Sequence, residues 1–303
     1  MRIGIFDSSN ADGGSIDQIV GSAATAAEHG FASFWLPQIF GFEALSVLAI
    51  LGREVDDIDL GTAVVPTYPR HPVTMAAQAL TAQAASGGRL TLGIGLSHQM
   101  VIENMFGLSF DRPARHMREY LDALLPLLAG EGAATDGETI RVSAGLSLPP
   151  GIAAPDVVVA ALGPRMLALA GTRTAGTVTW MTGPRTLASH IVPSITAAAA
   201  EAGRPAPRVV ACLPVCVTDD EAAARERAAS TFQLYGFLPS YRAMLDLEGV
   251  EGPADVAVVG DEATVARAIR GLAEVGVTEF VAVEYTLRDP ERTRTRELLR
   301  SLL

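Results

Sequence analysis

Short runs of apolar, often β-branched residues alternate with longer Ala-rich helical patterns along the whole 303-residue chain. This alternation constrains the fold more than any other feature. Strands are expected at Arg2–Phe6, Ser33–Leu36, 59–65, Leu90–Gly95, 156–160, 177–181, 209–217 and Glu279–Glu284. Most are continuous apolar runs, the signature of strands buried on both faces of a parallel sheet covered by helices. Helix starts and stops punctuate the intervals. Ser15 precedes a helical pattern closed by Gly30. Pro72 opens a helix through Gln83 that Gly87-Gly88 stops, and Pro113 opens one through Leu128. Later starts fall at Gly163-Pro164, Gly183-Pro184, Asp219-Asp220-Glu221, Asp261-Glu262 and Asp289-Pro290. Eight strand–helix units of about 38 residues fit a single (β/α)8 TIM barrel over residues 1–303. A doubly wound open sheet is the competing architecture, and eight units without a composition break favour the barrel. Two stretches exceed the repeat. Residues 133–150 read as an inserted hairpin turning at Asp136-Gly137, and 234–256 as an extra helical segment.

The charged residues narrow the chemistry. Twenty-three cations face 34 acidic residues, for a net charge of -11, and all the cations are Arg. That balance argues against nucleic-acid and anionic-membrane surfaces. With no Lys, a Schiff base, a lysine base and a lysine-bearing phosphate loop are excluded; anions must be held by guanidinium groups, main-chain N–H groups or helix N-termini. Cys212 and Cys216 lie four apart in one apolar run. On a strand their Cα atoms are roughly 13 Å apart, too far for a disulfide, so two buried thiols in a reducing cytoplasm are expected. No apolar stretch approaches membrane-spanning length.

In such a barrel the chemistry sits in the loops that follow the strands. Gly163-Pro164-Arg165 follows the fifth strand and Gly183-Pro184-Arg185 the sixth. Two neighbouring helix N-termini, each with an Arg, make a lysine-free anion site; an ordinary pair of helix starts is the plain explanation. Gly93-Ile94-Gly95-Leu96-Ser97-His98 only partly matches G-x-G-x-x-G, and describes a glycine-lined strand end open to a flat ligand, with His98 at its rim. His98 is the favoured catalytic histidine. His71 lies in a Pro-bounded loop able to reach the mouth, whereas His29, His116 and His190 suit helix-surface or structural roles. No His–carboxylate cluster recommends a metal, and no G-x-S-x-G elbow supports a hydrolase.

Several segments in order resemble the luciferase-like monooxygenase superfamily, in particular its actinobacterial branch of oxidoreductases that use coenzyme F420. They are AEHGFASFWLPQ (27–38), LGTAVVPTYPRHP (60–72), QALTAQAASGGRLTLGIGLSH (78–98), VVVAALGPRMLALAGTRTAGTVTWMTGPRT (157–186) and VVGDEATVARAIRGLAEVGVTEFV (258–281). The resemblance implies a deazaflavin, or alternatively FMN, at the C-terminal mouth, and a cis peptide at Ala63–Val64 backing its ring. It implies cofactor contacts from Gln38, Ala63, Val64, Gly95, Ser97, Gly163, Pro164, Arg165, Thr182 and Gly183. A homodimer is also common among similar proteins.

Departures from the family pattern shape the rest. Where sugar-phosphate dehydrogenases of the family carry an Asp-His pair, this chain has Gln38-Ile39, and His98 replaces their fourth-loop Glu. Glucose-phosphate dehydrogenation is thereby disfavoured. The expected reaction is hydride transfer from reduced F420 to a C=C or C=N bond of a small natural-product-like substrate, with His98 or Asp7 supplying the proton. Phe40, Tyr68 and His71 are expected to shape the pocket, and Trp35 suits pocket or packing. An FMN-dependent two-component monooxygenase and a non-catalytic flavin-binding protein are the competing functions.

Overall fold

The computed structural model describes residues 1–285 and 288–303, and the expected loop at 285–288 lies partly outside that range. The fold is a (β/α)8 barrel. Its strands are β1 (Arg2–Phe6), β2 (Ser33–Leu36), β3 (Asp59–Thr62), β4 (Leu90–Gly95), β5 (Asp156–Val159), β6 (Gly176–Trp180), β7 (Arg208–Val217) and β8 (Glu279–Glu284). They belong to one sheet.

The chain clusters into two compact units. The first comprises Met1–Phe6, Ala26–Phe34 and Ala161–Leu303. Within it β1 pairs in parallel with β8 (Arg2 opposite Glu279), β8 with β7 (Glu279 opposite Val210), and β7 with β6 (Arg208 opposite Gly176). The apolar run of β7 is buried on both faces, which accounts for its unbroken hydrophobicity. Cys212 and Cys216 are free and buried there, as their sequence context predicts. Burial raises the Cys212 thiol well above the ordinary range, so it stays protonated.

The second unit comprises Asp7–Thr25 and Trp35–Ala160. Here β3 pairs with β4 (Leu60 opposite Leu90) and β4 with β5 (Thr91 opposite Asp156). The expected strand at 59–65 is interrupted. It stops at Thr62, the Ala63–Val64 peptide is cis, and Val65–Pro66 resumes pairing opposite Ile94 and Gly95. The expected 133–150 hairpin forms from Ala133–Asp136 and Arg141–Ala144, antiparallel, with Asp136 opposite Arg141. Its turn is held by the buried carboxylate of Glu119, which accepts the Thr139 amide and hydroxyl at 2.7 Å each and the Ile140 amide at 3.1 Å. Burial alone would raise the Glu119 pKa, but those hydrogen bonds outweigh it and hold the group at about 2.

Helix boundaries follow the punctuation closely. Gly30, at φ +83°, terminates Ile16–Glu28, and Pro113–Leu128 spans the expected residues. Asp220 and Asp261 cap Glu221–Thr231 and Glu262–Glu274. Ala44–Glu54, a helix that the boundary signals leave unmarked, is capped by the Glu43 carboxylate on the Leu45 and Ser46 amides. The Gly183-Pro184 helix is interrupted: Pro184–Thr186 leads through a wide turn at Leu187–Ile191 into Val192–Glu201. The insertion at 234–256 is helical, chiefly Pro239–Glu248. Among the described residues no helix is long and apolar enough to cross a membrane.

Candidate active site

The second unit holds the residues that follow strands β1 to β4. Asp7 is half-buried, and its Oδ1 accepts the Ser9 amide at 2.7 Å. Gln38 is drawn toward the start of Ala44–Glu54, its Oε1 accepting the Ala44 amide at 2.8 Å. Asn10 braces the loop after β2, donating to the Pro37 carbonyl at 2.7 Å and the Phe42 carbonyl at 3.2 Å. That brace leaves Phe40 60% exposed, its ring 6.2 Å from Phe106. Trp35 is buried against Gly61 and serves as packing.

Gly95 is tightly packed: a Cβ there would lie 2.6 Å from Val64 Cγ2, so the missing side chain makes room for Val64. Gly93 is likewise pressed against the Thr62 carbonyl. The three residues Val64, Gly93 and Gly95 therefore interlock. Ser97 then turns the chain in the left-handed region at φ +61°, a conformation costly for a residue with a Cβ. His98 is half-buried, and burial lowers its imidazole pKa below the usual 6.5.

The loop after β3 is organised from below by Pro113–Leu128. His116 is 5% exposed rather than on the helix surface. Its Nε2 lies 3.1 Å from Thr67 Oγ1, and its ring stacks on Tyr68 with centroids 3.9 Å apart and planes 5° apart. Burial drives the His116 pKa down to about 4, against a small opposing pull from Glu119, so the ring is neutral at neutral pH. Phe110 lies 5.1 Å from Tyr68. Burial and the nearby Asp111 push the Tyr68 hydroxyl up to about 12, and that hydroxyl is buried without a partner. Tyr120 secures the same loop by donating to the Arg70 carbonyl at 2.8 Å. His71 turns away from this group. It caps Pro72–Ala85 and places Nε2 3.4 Å from the Arg141 carbonyl of the hairpin.

In the first unit the two Gly-Pro-Arg helix starts differ. At Gly163-Pro164-Arg165 no side chain caps the helix, the space a Gly163 Cβ would occupy is open, and Arg165 is exposed. At Gly183-Pro184-Arg185 the end is already filled. Glu248, buried at the end of the inserted helix, accepts the Arg185 amide at 3.1 Å and the Thr186 amide at 2.7 Å. The expected pair of anion-receptive ends is therefore reduced to one. Thr182 is buried, its hydroxyl directed at the Trp180 carbonyl at 3.2 Å. His190 Nε2 donates to the Leu162 carbonyl at 2.7 Å.

The first unit also contains an aromatic group that the sequence motifs did not single out. Phe6, at the end of β1, stacks on Trp180, at the end of β6, at 6.4 Å and 10°. Phe232 stands edge-on to Trp180 at 5.6 Å and to Tyr285 at 5.7 Å, and the Arg227 guanidinium lies 5.4 Å over the Tyr285 ring. Spacing could not reveal it, because its members come from three strand ends and one helix. Among the described residues no group of three or more His, Cys, Asp or Glu side chains is gathered for a metal. The uncapped Gly163 helix start, with its exposed Arg165, fits the phosphate of a flavin-type cofactor.

A luciferase-like monooxygenase family model matches residues 1–279. The chain is 29% identical over 209 residues to a 5,10-methylenetetrahydromethanopterin reductase of Methanolobus tindarius, covering 69% of this chain and 63% of the relative. It is 35% identical over 112 residues to a putative coenzyme F420-dependent oxidoreductase of Mycobacterium tuberculosis, covering 37% and 32%. The chain thus matches less than two thirds of either relative's length. The F420-dependent tetrahydromethanopterin reductase of Methanopyrus kandleri superposes with TM-score 0.80 at 22% identity, covering 100% and 98% of the two chains. The oxygenating constituent of 3,6-diketocamphane monooxygenase of Pseudomonas putida, in complex with FMN, superposes with TM-score 0.78 at 18% identity, covering 99% and 96%.

Proposed function

The chain belongs to the luciferase-like monooxygenase family, and from that premise we propose that it is an F420-dependent reductase acting on a C=C or C=N bond of a small organic substrate. The observation that carries a cofactor role is the open Gly163-Pro164-Arg165 helix start, where unengaged main-chain N–H groups and a guanidinium stand ready for an anionic tail. Likeness to a putative F420-dependent oxidoreductase supports a deazaflavin over FMN.

Reduced F420, when bound, supplies a hydride. The chain's own residues position and protonate. Val64, held by the close approach of Gly93 and Gly95, presents a fixed apolar surface suited to a planar ring. Gln38 and Ser97 border the same group of loops. The His98 imidazolium, or else the protonated Asp7 carboxyl, delivers the proton to the substrate atom, carbon or nitrogen, that does not receive the hydride. Burial lowers the His98 pKa, so its imidazolium is the stronger proton donor and the neutral ring left behind serves as a hydrogen-bond partner for the substrate.

Titrating the folded protein with F420 and, separately, with FMN tests this. Saturable F420 binding is expected, and Arg165→Ala should weaken it at least tenfold while leaving thermal unfolding unchanged. An affinity within twofold of wild type removes Arg165 from the tail site. Binding of FMN alone, with oxygen-dependent turnover, replaces the reductase with a monooxygenase. Tight uptake with every activity unchanged in His98→Ala and Asp7→Ala would point to a non-catalytic binding protein.

A further inference from the structure

The aromatic group of the first unit holds three buried atoms without hydrogen-bond partners: Trp180 Nε1, Arg227 Nε and the Tyr285 hydroxyl. An indole N–H and a guanidinium N–H can only donate, and a phenol can donate. The missing partner is therefore an acceptor. Orphaned polar groups are scarce in folded proteins, and a run of donors at one place calls for something that is absent from the chain itself.

These atoms belong to one continuous group. Arg227 lies over the Tyr285 ring, Phe232 joins Tyr285 to Trp180, and Trp180 rests on Phe6. Arg227 is anchored by its Nη2 at 3.4 Å from Glu291 and 3.5 Å from the Cys216 sulfur, which leaves its Nε unused. Phe6, Trp180 and Tyr285 all stand at the C-terminal ends of barrel strands, where ligands of this fold are recognised. The rings offer flat apolar faces, and the unpaired polar atoms among them are few and all able to donate.

The segment beside Trp180 exposes apolar side chains. Gln233–Gly236 is a single short turn, with Leu234 56% and Phe237 75% exposed, while Tyr235 meets the Trp180 ring edge-on at 5.6 Å. Apolar side chains face water outside, and unsatisfied donors lie within. A ligand entering beneath the turn would supply the acceptors.

We propose that Trp180, Phe232, Tyr285 and Arg227 bind a planar conjugated molecule that carries an acceptor oxygen, admitted when the Gln233–Gly236 turn lifts. An α,β-unsaturated carbonyl compound satisfies this description and also accepts hydride, so the assignment rests on the reductase function above and narrows its substrate class. Recognition is by ring stacking together with donation from the indole, phenol and guanidinium to the carbonyl oxygen.

The protein without any cofactor is titrated with benzylideneacetone, with cinnamate and with β-methylstyrene, which lacks the oxygen. Calorimetry gives the affinities. Tryptophan fluorescence locates the site, since only Trp35 and Trp180 are present and Trp35 is buried elsewhere. Saturable binding of either oxygenated probe, at least tenfold tighter than the hydrocarbon, is expected, with quenching that disappears in Trp180→Phe. Tyr285→Phe should weaken the oxygenated probe about tenfold and leave the hydrocarbon unchanged. Equal affinities for oxygenated and oxygen-free probes, no saturable binding, or no effect of Tyr285→Phe overturns the proposal. Should Trp180→Phe fail to fold, the Tyr285→Phe comparison decides alone. Because no cofactor is present, failure here with F420 binding intact rejects only this site, and loss of F420 binding with these titrations intact rejects only the reductase.

Discussion

Glu248→Ala should remove the internal cap of the Gly183-Pro184-Arg185 helix start and unfasten the inserted helix. Two amides donate to one buried carboxylate, at 3.1 Å and 2.7 Å. Hydrogen bonds to a charged group contribute about 1.5–3 kcal/mol each. A negative charge at a helix start adds about 0.3–1 kcal/mol. The cost of burying the carboxylate offsets part of this, so the expected loss is about 3 kcal/mol. Glu248→Gln keeps one good acceptor and should lose about half as much by the same per-bond values. Urea unfolding measures the loss, and hydrogen exchange localises it: the Arg185 and Thr186 amides should exchange much faster in Glu248→Ala. A destabilisation below about 0.5 kcal/mol, the range of ordinary surface substitutions, would refute the capping role, as would unchanged protection at those two amides.

Gly95→Ala forces a Cβ against Val64 Cγ2 and should cost about 1–3 kcal/mol, with Val64→Ala restoring most of it in the double variant; denaturant melts of the four proteins check the coupling. Acid should weaken the fold in two stages. His116 has a folded pKa of about 4 against an ordinary 6.5, so the unfolded chain takes up the proton first and stability falls as pH drops between those values. Glu119, at about 2 when folded, stabilises the protein above its unfolded value near 4.3, and that contribution is lost as pH falls from there toward 2. His116→Phe should flatten the upper stage and Glu119→Gln the lower in stability–pH curves; unchanged slopes would contradict the assignments.

The barrel was legible because its signals are local. Runs such as those of β4 and β7 and stops such as Gly30 are set by neighbours within one turn or strand. The cis bond at Ala63–Val64 matched the position implied by family resemblance, which is information from outside this chain's periodicity. What escaped depends on partners far along the sequence. Arg185 and Glu248 are 63 residues apart, so the motif at 183–185 looked like its twin at 163–165 although only one is open. The sequence around His116 reads as a helix surface because the partner that meets its ring, the Thr67–Tyr68 loop, lies 49 positions earlier. The contact of Val64 with Gly95 likewise depends on a residue thirty-one positions earlier and is invisible in the glycine motif itself.

Pro113–Leu128 acts as a common rail. Along one helix, His116 and Tyr120 hold the Thr67–Arg70 loop while Glu119 holds the hairpin turn. A slight rotation or slide of this rod would move both attachments together, in a fixed proportion, without any change in the residues they carry. Substitutions on its far side therefore offer a remote adjustment of loop placement, through which selectivity could drift while the chemistry stays intact.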